Sequence, residues 1–312
     1  MDSGMAINFD MRPKTKLSIA IPAVVCASIF MALMSASVKI AGLTLSSEMM
    51  IFWRNLLSII LFLPWLQFGP PHQSLATKLK TKEWKLHILR GVTSFLAVYL
   101  LYYSLKFLNL TTATLLYNTT PLFIPIISFL WMGIVIHHRL WWALGTGFFG
   151  IVLALGPGIE ICNPAVLLAL LGGIFVAISL LSLRFAHYSE PAYRTLFYLF
   201  LICLICPMLI FIFTFQSSLE TFHLQDLKML FVIGIFGFLY QICINVASKN
   251  APMRLLSPFF YLTVIFSMVL DKLIWKTSIP MLTIFGFIFI VLGAILQLVL
   301  YPKDDLIIKK RH

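Results

Sequence analysis

Charge is scarce in this chain. Only 11% of its 312 residues are Asp, Glu, Lys or Arg, and just 11 of them are acidic. A soluble core has no use for so apolar a chain, so a water-soluble globular fold is excluded. Cysteine is sparse as well. Cys26, Cys162, Cys203, Cys206 and Cys243 fall mostly inside apolar runs. The Cys203-x-x-Cys206 pair reads as packing within an apolar helix, which leaves no zinc site and no disulfide framework. Strand-like alternation is missing, and irregular backbone does not face lipid, so a β-barrel is set aside. Within the spans there is no HExxH helix, no paired aspartate and no nucleophile beside a base, so an intramembrane enzyme has nothing to work with. No polar segment is long enough to fold alone.

What is present is apolar: 61% hydrophobic residues and a mean hydropathy of +0.98. Ten apolar stretches are predicted to span as helices, at 17–41, 48–66, 85–107, 110–134, 140–155, 164–183, 191–213, 227–247, 251–270 and 279–300. The fifth is short for a helix that needs about twenty residues to cross. The first is longer than a secretory signal and has a later counterpart, so it is expected to be retained.

The net charge of +12 follows from topology rather than from nucleic-acid binding. With the N-terminus in the cytoplasm, sixteen Lys and Arg residues face inward and four, Lys106, Lys228, Lys272 and Lys276, face outward. Cytoplasmic loops carry this excess in membrane proteins, so both termini are placed inside. The basic loop 69–85, with Pro70-Pro71 and then Lys78, Lys80, Lys82 and Lys85, is expected to lie against anionic lipid headgroups at that face.

The second five stretches echo the first five. Ile29-Phe30 with Ala32 matches Ile174-Phe175 with Ala177, and at the same offset Ser37 meets Ser182 and Lys39 meets Arg184. Trp53-Arg54 matches Tyr193-Arg194, and Pro64 matches Pro207. Leu115-Leu116 matches Leu255-Leu256 with a proline soon after each, and Gly150 matches Gly293. Five spans per half is an odd number, so the second half must insert inverted, an arrangement that lets one midplane site open to either side.

The run His87-Ile-Leu-Arg90-Gly91, then Thr111-Thr-Ala-Thr114 and Pro121-Leu-Phe123, resembles the EamA family of the drug/metabolite transporter superfamily. Arg54, Gly150 and Gly293 fit the same pattern. The resemblance implies an all-α polytopic fold of ten transmembrane helices in two inverted five-helix repeats. The expected layout is a cytoplasmic tail at 1–16, repeats at 17–158 and 159–301, and a second cytoplasmic tail at 302–312. It implies alternating-access transport of a small polar metabolite across a bacterial inner membrane, with no catalysis and no cofactor. Within the family, the chain is most similar to the S-adenosylmethionine transporters. This implies uptake of that metabolite, in exchange for S-adenosylhomocysteine. The alternative is export of amino acids or related amphiphilic metabolites. Monomer and homodimer stay open. One departure concerns the acid that many relatives carry after a glycine at the ends of the fourth and ninth spans. Here the fourth ends Leu130-Trp131-Met132-Gly133, while the ninth keeps Asp271.

The resemblance places the pathway between the halves, where polar and aromatic groups deep in the spans are the candidates. Tyr117 and Asn118 belong to the densest polar cluster, next to Pro121, which frees a backbone carbonyl. Packing between helices is the competing use of that cluster. Tyr99 and Tyr103, four apart, share a face that suits a purine or a sulfonium; an interfacial aromatic belt is the alternative. Tyr240, Gln241 and Tyr261 are the second-half candidates. Arg54 is charged within a span and suits a carboxylate. Lys39 is read as snorkelling outward, Arg90 as lying at the cytoplasmic rim, and His137-His138 as a poor metal site. No acid falls securely at mid-membrane, which favours facilitated diffusion or exchange over proton symport.

Overall fold

A backbone inside lipid must satisfy its own hydrogen bonds, and a helix does so within one segment. The computed structural model describes residues 16–67, 75–132, 138–155, 163–220, 226–251, 256–278 and 280–300, and every element among them is helical. They are α1 (Leu17–Ala41), α2 (Ser47–Gln67), α3 (Leu75–Leu79), α4 (Trp84–Ser104), α5 (Leu110–Tyr117) and α6 (Thr120–Met132). Then follow α7 (His138–Leu155), α8 (Pro164–Ser189), α9 (Ala192–Glu220) and α10 (Asp226–Asn250). A 3-10 turn (Ser257–Tyr261), α11 (Leu262–Ile274) and α12 (Met281–Leu300) complete the order. Seven helical stretches among the described residues are long and apolar enough to cross a membrane, and Trp141–Ala154 and Met281–Leu296 are shorter apolar helices. The chain is a multi-pass membrane protein. His137, the basic residues beyond 301 and residues 69–74 of the loop 69–85 lie outside the described residues.

Local chemistry sets the boundaries. Asn163 starts α8 by accepting a hydrogen bond from the Ala165 N–H at 2.9 Å, with Pro164 at the first helical position. The expected fourth span breaks into α5 and α6 because Pro121 has no N–H to donate. Side chains take over the released carbonyls: Thr120 Oγ1 donates to Tyr117 O at 3.0 Å, and Thr119 Oγ1 donates to Leu116 O at 2.6 Å. The expected ninth span is shortened in the same way. Pro258 opens a 3-10 turn, and only 13 residues of α-helix follow.

The main contacts between helices correspond when the two halves are exchanged. α1 packs on α10 as α8 packs on α4, while α2 meets α9 and α7 meets α12. The α7–α12 seam runs antiparallel: Ala154 lies against Gly286, Gly150 against Ile290, and Ala143 against Gly293. Ser104 to Ala165 and Arg90 to Ser179 give α4 and α8 the same opposed sense. Small residues let these backbones touch, the usual means of helix association without a hydrophobic drive.

Candidate functional site

Seven helices from both halves surround one central cavity of about 30 Å³. α1 brings Met34, α2 Arg54, α4 Arg90 and Ser94, α5 Tyr117, α8 Ser179, α9 Leu199, and α10 Tyr240 and Gln241. Such a volume admits roughly two waters. Metabolite pockets measure about 300–1,000 Å³, so in this conformation the walls are contracted around the centre.

Arg54 is 2% exposed. Its Nη1 donates to the soft Sδ of Met34, at 3.9 Å, the Tyr102 hydroxyl lies beside it, and among the described residues its Nε has no protein partner. Tyr102, Tyr117 and Tyr240 lie close enough to interact with its charge. The side chain is pinned from α10: a Cβ on Gly237 would stand 2.7 Å from Arg54 Cδ.

Arg90 corrects the sequence reading. Expected at the cytoplasmic rim, it is buried within the helices at 3% exposure, with Nη1 donating to Thr195 O at 2.9 Å. Burial follows from its neighbour, because Gly91 leaves room for α9 so close that a Cβ there would meet Ile202 Cγ2 at 2.5 Å.

Four of the expected residues, Arg54, Tyr117, Tyr240 and Gln241, meet on the cavity wall. The other four lie elsewhere. Tyr99 donates its hydroxyl to Glu48 Oε1 at 2.8 Å. Tyr103 is 40% exposed and packs on the Phe107 ring. Asn118 turns back on its own helix and donates Nδ2 to Thr114 O at 2.7 Å. Tyr261 is buried with its ring edge on Phe287. Arg90, Ser94 and Ser179 were missed. Arg90, Ser94 and Ala97 recur at helical spacing, a stripe of small and basic residues that draws less notice than tyrosine.

A larger cavity of about 490 Å³ opens towards the α1 start, lined by Lys78, Tyr193, Asn245 and Lys249 among others. Lys16 N–H bonds Asn250 O at 3.0 Å, which fixes this mouth at the N-terminal end of α1. Thr195 stands between the two cavities: its carbonyl accepts from Arg90, and its hydroxyl accepts from Asn245 Nδ2 at 3.3 Å.

The opposite end of α1 is tied shut. Asp271 is fully buried, and its Oδ2 accepts from Thr111 N at 2.7 Å and from Thr111 Oγ1 at 2.6 Å. It therefore caps the N-terminus of α5 from the other half. Lys39 does not reach outward. Its Nζ lies 3.7 Å from Asp271 Oδ1 and 4.6 Å from the Trp275 ring centre. The residue matching Asp271 in the first half is Trp131, whose ring meets Phe185, beside Arg184. Among the described residues no cluster of His, Cys, Asp or Glu is suited to a metal ion.

Known proteins share this plan. The profile of the EamA-like transporter family matches residues 18–156 and again 163–299. An S-adenosylmethionine uptake transporter of Rickettsia bellii is 26% identical over 273 residues, covering 87% of this chain and 90% of that protein. An uncharacterized transporter of Helicobacter pylori is 24% identical, with 88% and 92% covered. The pseudopaline exporter CntI of Pseudomonas aeruginosa is 23% identical, with 87% and 93% covered. A solved crystal structure superposes with a TM-score of 0.62 at 16% identity, over 89% of this chain and 95% of its own, a likeness of fold.

Proposed function

Because the chain belongs to the EamA-like transporter family and is thereby a membrane transporter, we propose that it carries a small polar metabolite by alternating access, with S-adenosylmethionine uptake as the leading reading. The observation that supports it most is the central cavity, where Arg54 from one half faces Tyr240 and Gln241 from the other. A guanidinium suits the carboxylate of such a metabolite, and the faces of Tyr117 and Tyr240 suit a sulfonium or a purine. Ten spans in two inverted repeats, 17–158 and 159–301, with the Lys78 end in the cytoplasm, complete the proposal. The 490 Å³ cavity is then the inward vestibule, and the 30 Å³ cavity widens when substrate enters. Two of the similar proteins are named for opposite directions, one for uptake and one for export, so export of a related amphiphilic metabolite is the second reading.

Proteoliposomes test it. Radiolabelled S-adenosylmethionine should enter saturably, and internal S-adenosylhomocysteine should accelerate that entry by exchange. Linear, unsaturable uptake equal to that of empty liposomes would contradict the reading. Gly237→Ala should raise the KM about tenfold, the equivalent of 1.4 kcal/mol, because the added carbon displaces Arg54. Expression should be unaffected, and an unchanged KM would remove Arg54 from the site.

A further inference from the structure

We infer that the transported molecule is recognised through a carboxylate held between Arg54 and Arg90, so that compounds lacking an anionic group are rejected. This rests on the transport reading and goes further by naming the chemical handle.

Both guanidiniums line one cavity, at 2% and 3% exposure. A buried positive charge is costly unless it is paired. Among the described residues no Asp or Glu lines this cavity, and neither arginine meets a carboxylate. The nearby acids are engaged elsewhere. Glu48 takes the Tyr99 hydroxyl, Glu190 takes Thr81 and Arg194, and Asp271 takes Thr111 and Lys39. Among the described residues the protein uses only part of the two donor sets: Arg54 meets a thioether and the Tyr102 hydroxyl, Arg90 donates to a carbonyl, and Arg54 Nε remains unpartnered. Planar guanidiniums match a carboxylate with two parallel N–H···O bonds. Access has the same sign. Among the described residues the vestibule is lined by Lys78 and Lys249 without an acid, and a cationic wall turns the carboxylate of an amino-acid substrate towards it. The carboxylate would thus pass from the vestibule lysines to Arg90, at the Thr195 partition, and then to Arg54.

The test uses the full chain in proteoliposomes, with S-adenosylhomocysteine and 5′-methylthioadenosine as competitors of labelled S-adenosylmethionine. The two competitors share the adenosyl thioether, but only the first carries an amino-acid carboxylate. S-adenosylhomocysteine should compete at least about tenfold better, the discrimination expected when a buried donor loses its partner. Arg54→Gln and Arg90→Gln should each reduce that preference, while Arg54→Lys should keep part of it. Equal competition by both compounds would overturn the inference and leave the transport reading standing. If S-adenosylmethionine is not transported at all, that substrate assignment fails by itself. The carboxylate inference is then read from melting temperatures in detergent with L-methionine against L-methioninol. Stabilisation by methionine alone, lost in Arg54→Gln, supports it, and equal or absent stabilisation by both overturns it. Circular dichroism of each variant identifies those that have failed to fold.

Discussion

Asp271→Ala opens the Lys39 end of the transporter. The substitution removes the acceptor of both Thr111 contacts and the partner of Lys39, whose side chain is 15% exposed. Breaking a buried pair by deleting one member costs about 3–5 kcal/mol. The contact joins α11 of one half to α1 and α5 of the other, so its loss falls on the conformation that is closed at this end. Even about 3 kcal/mol is more than a hundredfold in a two-state equilibrium. A cysteine placed at Ser94 on the cavity wall, in a background freed of the native cysteines, should then react with an impermeant thiol reagent applied from the Lys39 side. Asp271→Asn should show an intermediate effect, since it keeps an acceptor for Thr111 but not the charge. Labelling equal to that of the parent would show that the contact does not hold this end closed. The first-half counterpart of Asp271 is Trp131, so this tie is not repeated at the Lys78 end, where Glu190 instead meets Thr81 and Arg194. On the alternating-access reading, the Asp271 contact favours the conformation closed at the Lys39 end.

Gly286→Leu is expected to cost the largest amount of stability. A Cβ there would lie 2.3 Å from Ala154 N and 2.6 Å from Gly150 O. Both obstacles are backbone, which moves only if α7 and α12 separate. Overpacking a close contact costs typically 1–3 kcal/mol, and a whole isobutyl group at a backbone seam should reach about 3 kcal/mol or more. Gly145, five residues before Gly150 on the same helix, meets nothing within 4 Å, so Gly145→Ala serves as the control. Thermal unfolding in detergent should show a marked loss for the first and a change within about 0.5 kcal/mol for the second. Equal melting temperatures would mean that the seam is not packed as described.

These two sites also show how far the sequence could be read. Gly150 and Gly293 were legible because the repeat placed them at matching positions, and the structure finds both in the α7–α12 seam. The apolar runs located the helices, since length and hydropathy decide what a lipid-embedded chain can do. The interruptions at Asn118 and Thr119 and in the ninth span were less visible. They depend on which side chains replace the hydrogen bond that a proline removes, as Thr119 and Thr120 do. Tyr99 and Tyr103 share a helix face, as spacing requires, but sequence does not say what that face meets. In the fold it meets Glu48 and Phe107, while the stripe from Arg90 through Ser94 to Ala97 meets the cavity. Asp271 looked like a residue near a helix end. Its burial arises only when the second half packs on the first, and that pairing is a tertiary fact which no single span encodes.

The central claim is that the cavity between the two halves opens to either side in turn. A single cysteine at Ser179, on the cavity wall contributed by α8, tests it directly in oriented vesicles with an impermeant thiol reagent. The account predicts labelling from each face, with the share from the Lys39 side rising in Asp271→Ala and labelling from both sides slowed by S-adenosylhomocysteine. A cysteine that reacts from one face only, whatever substrate or variant is present, would contradict it.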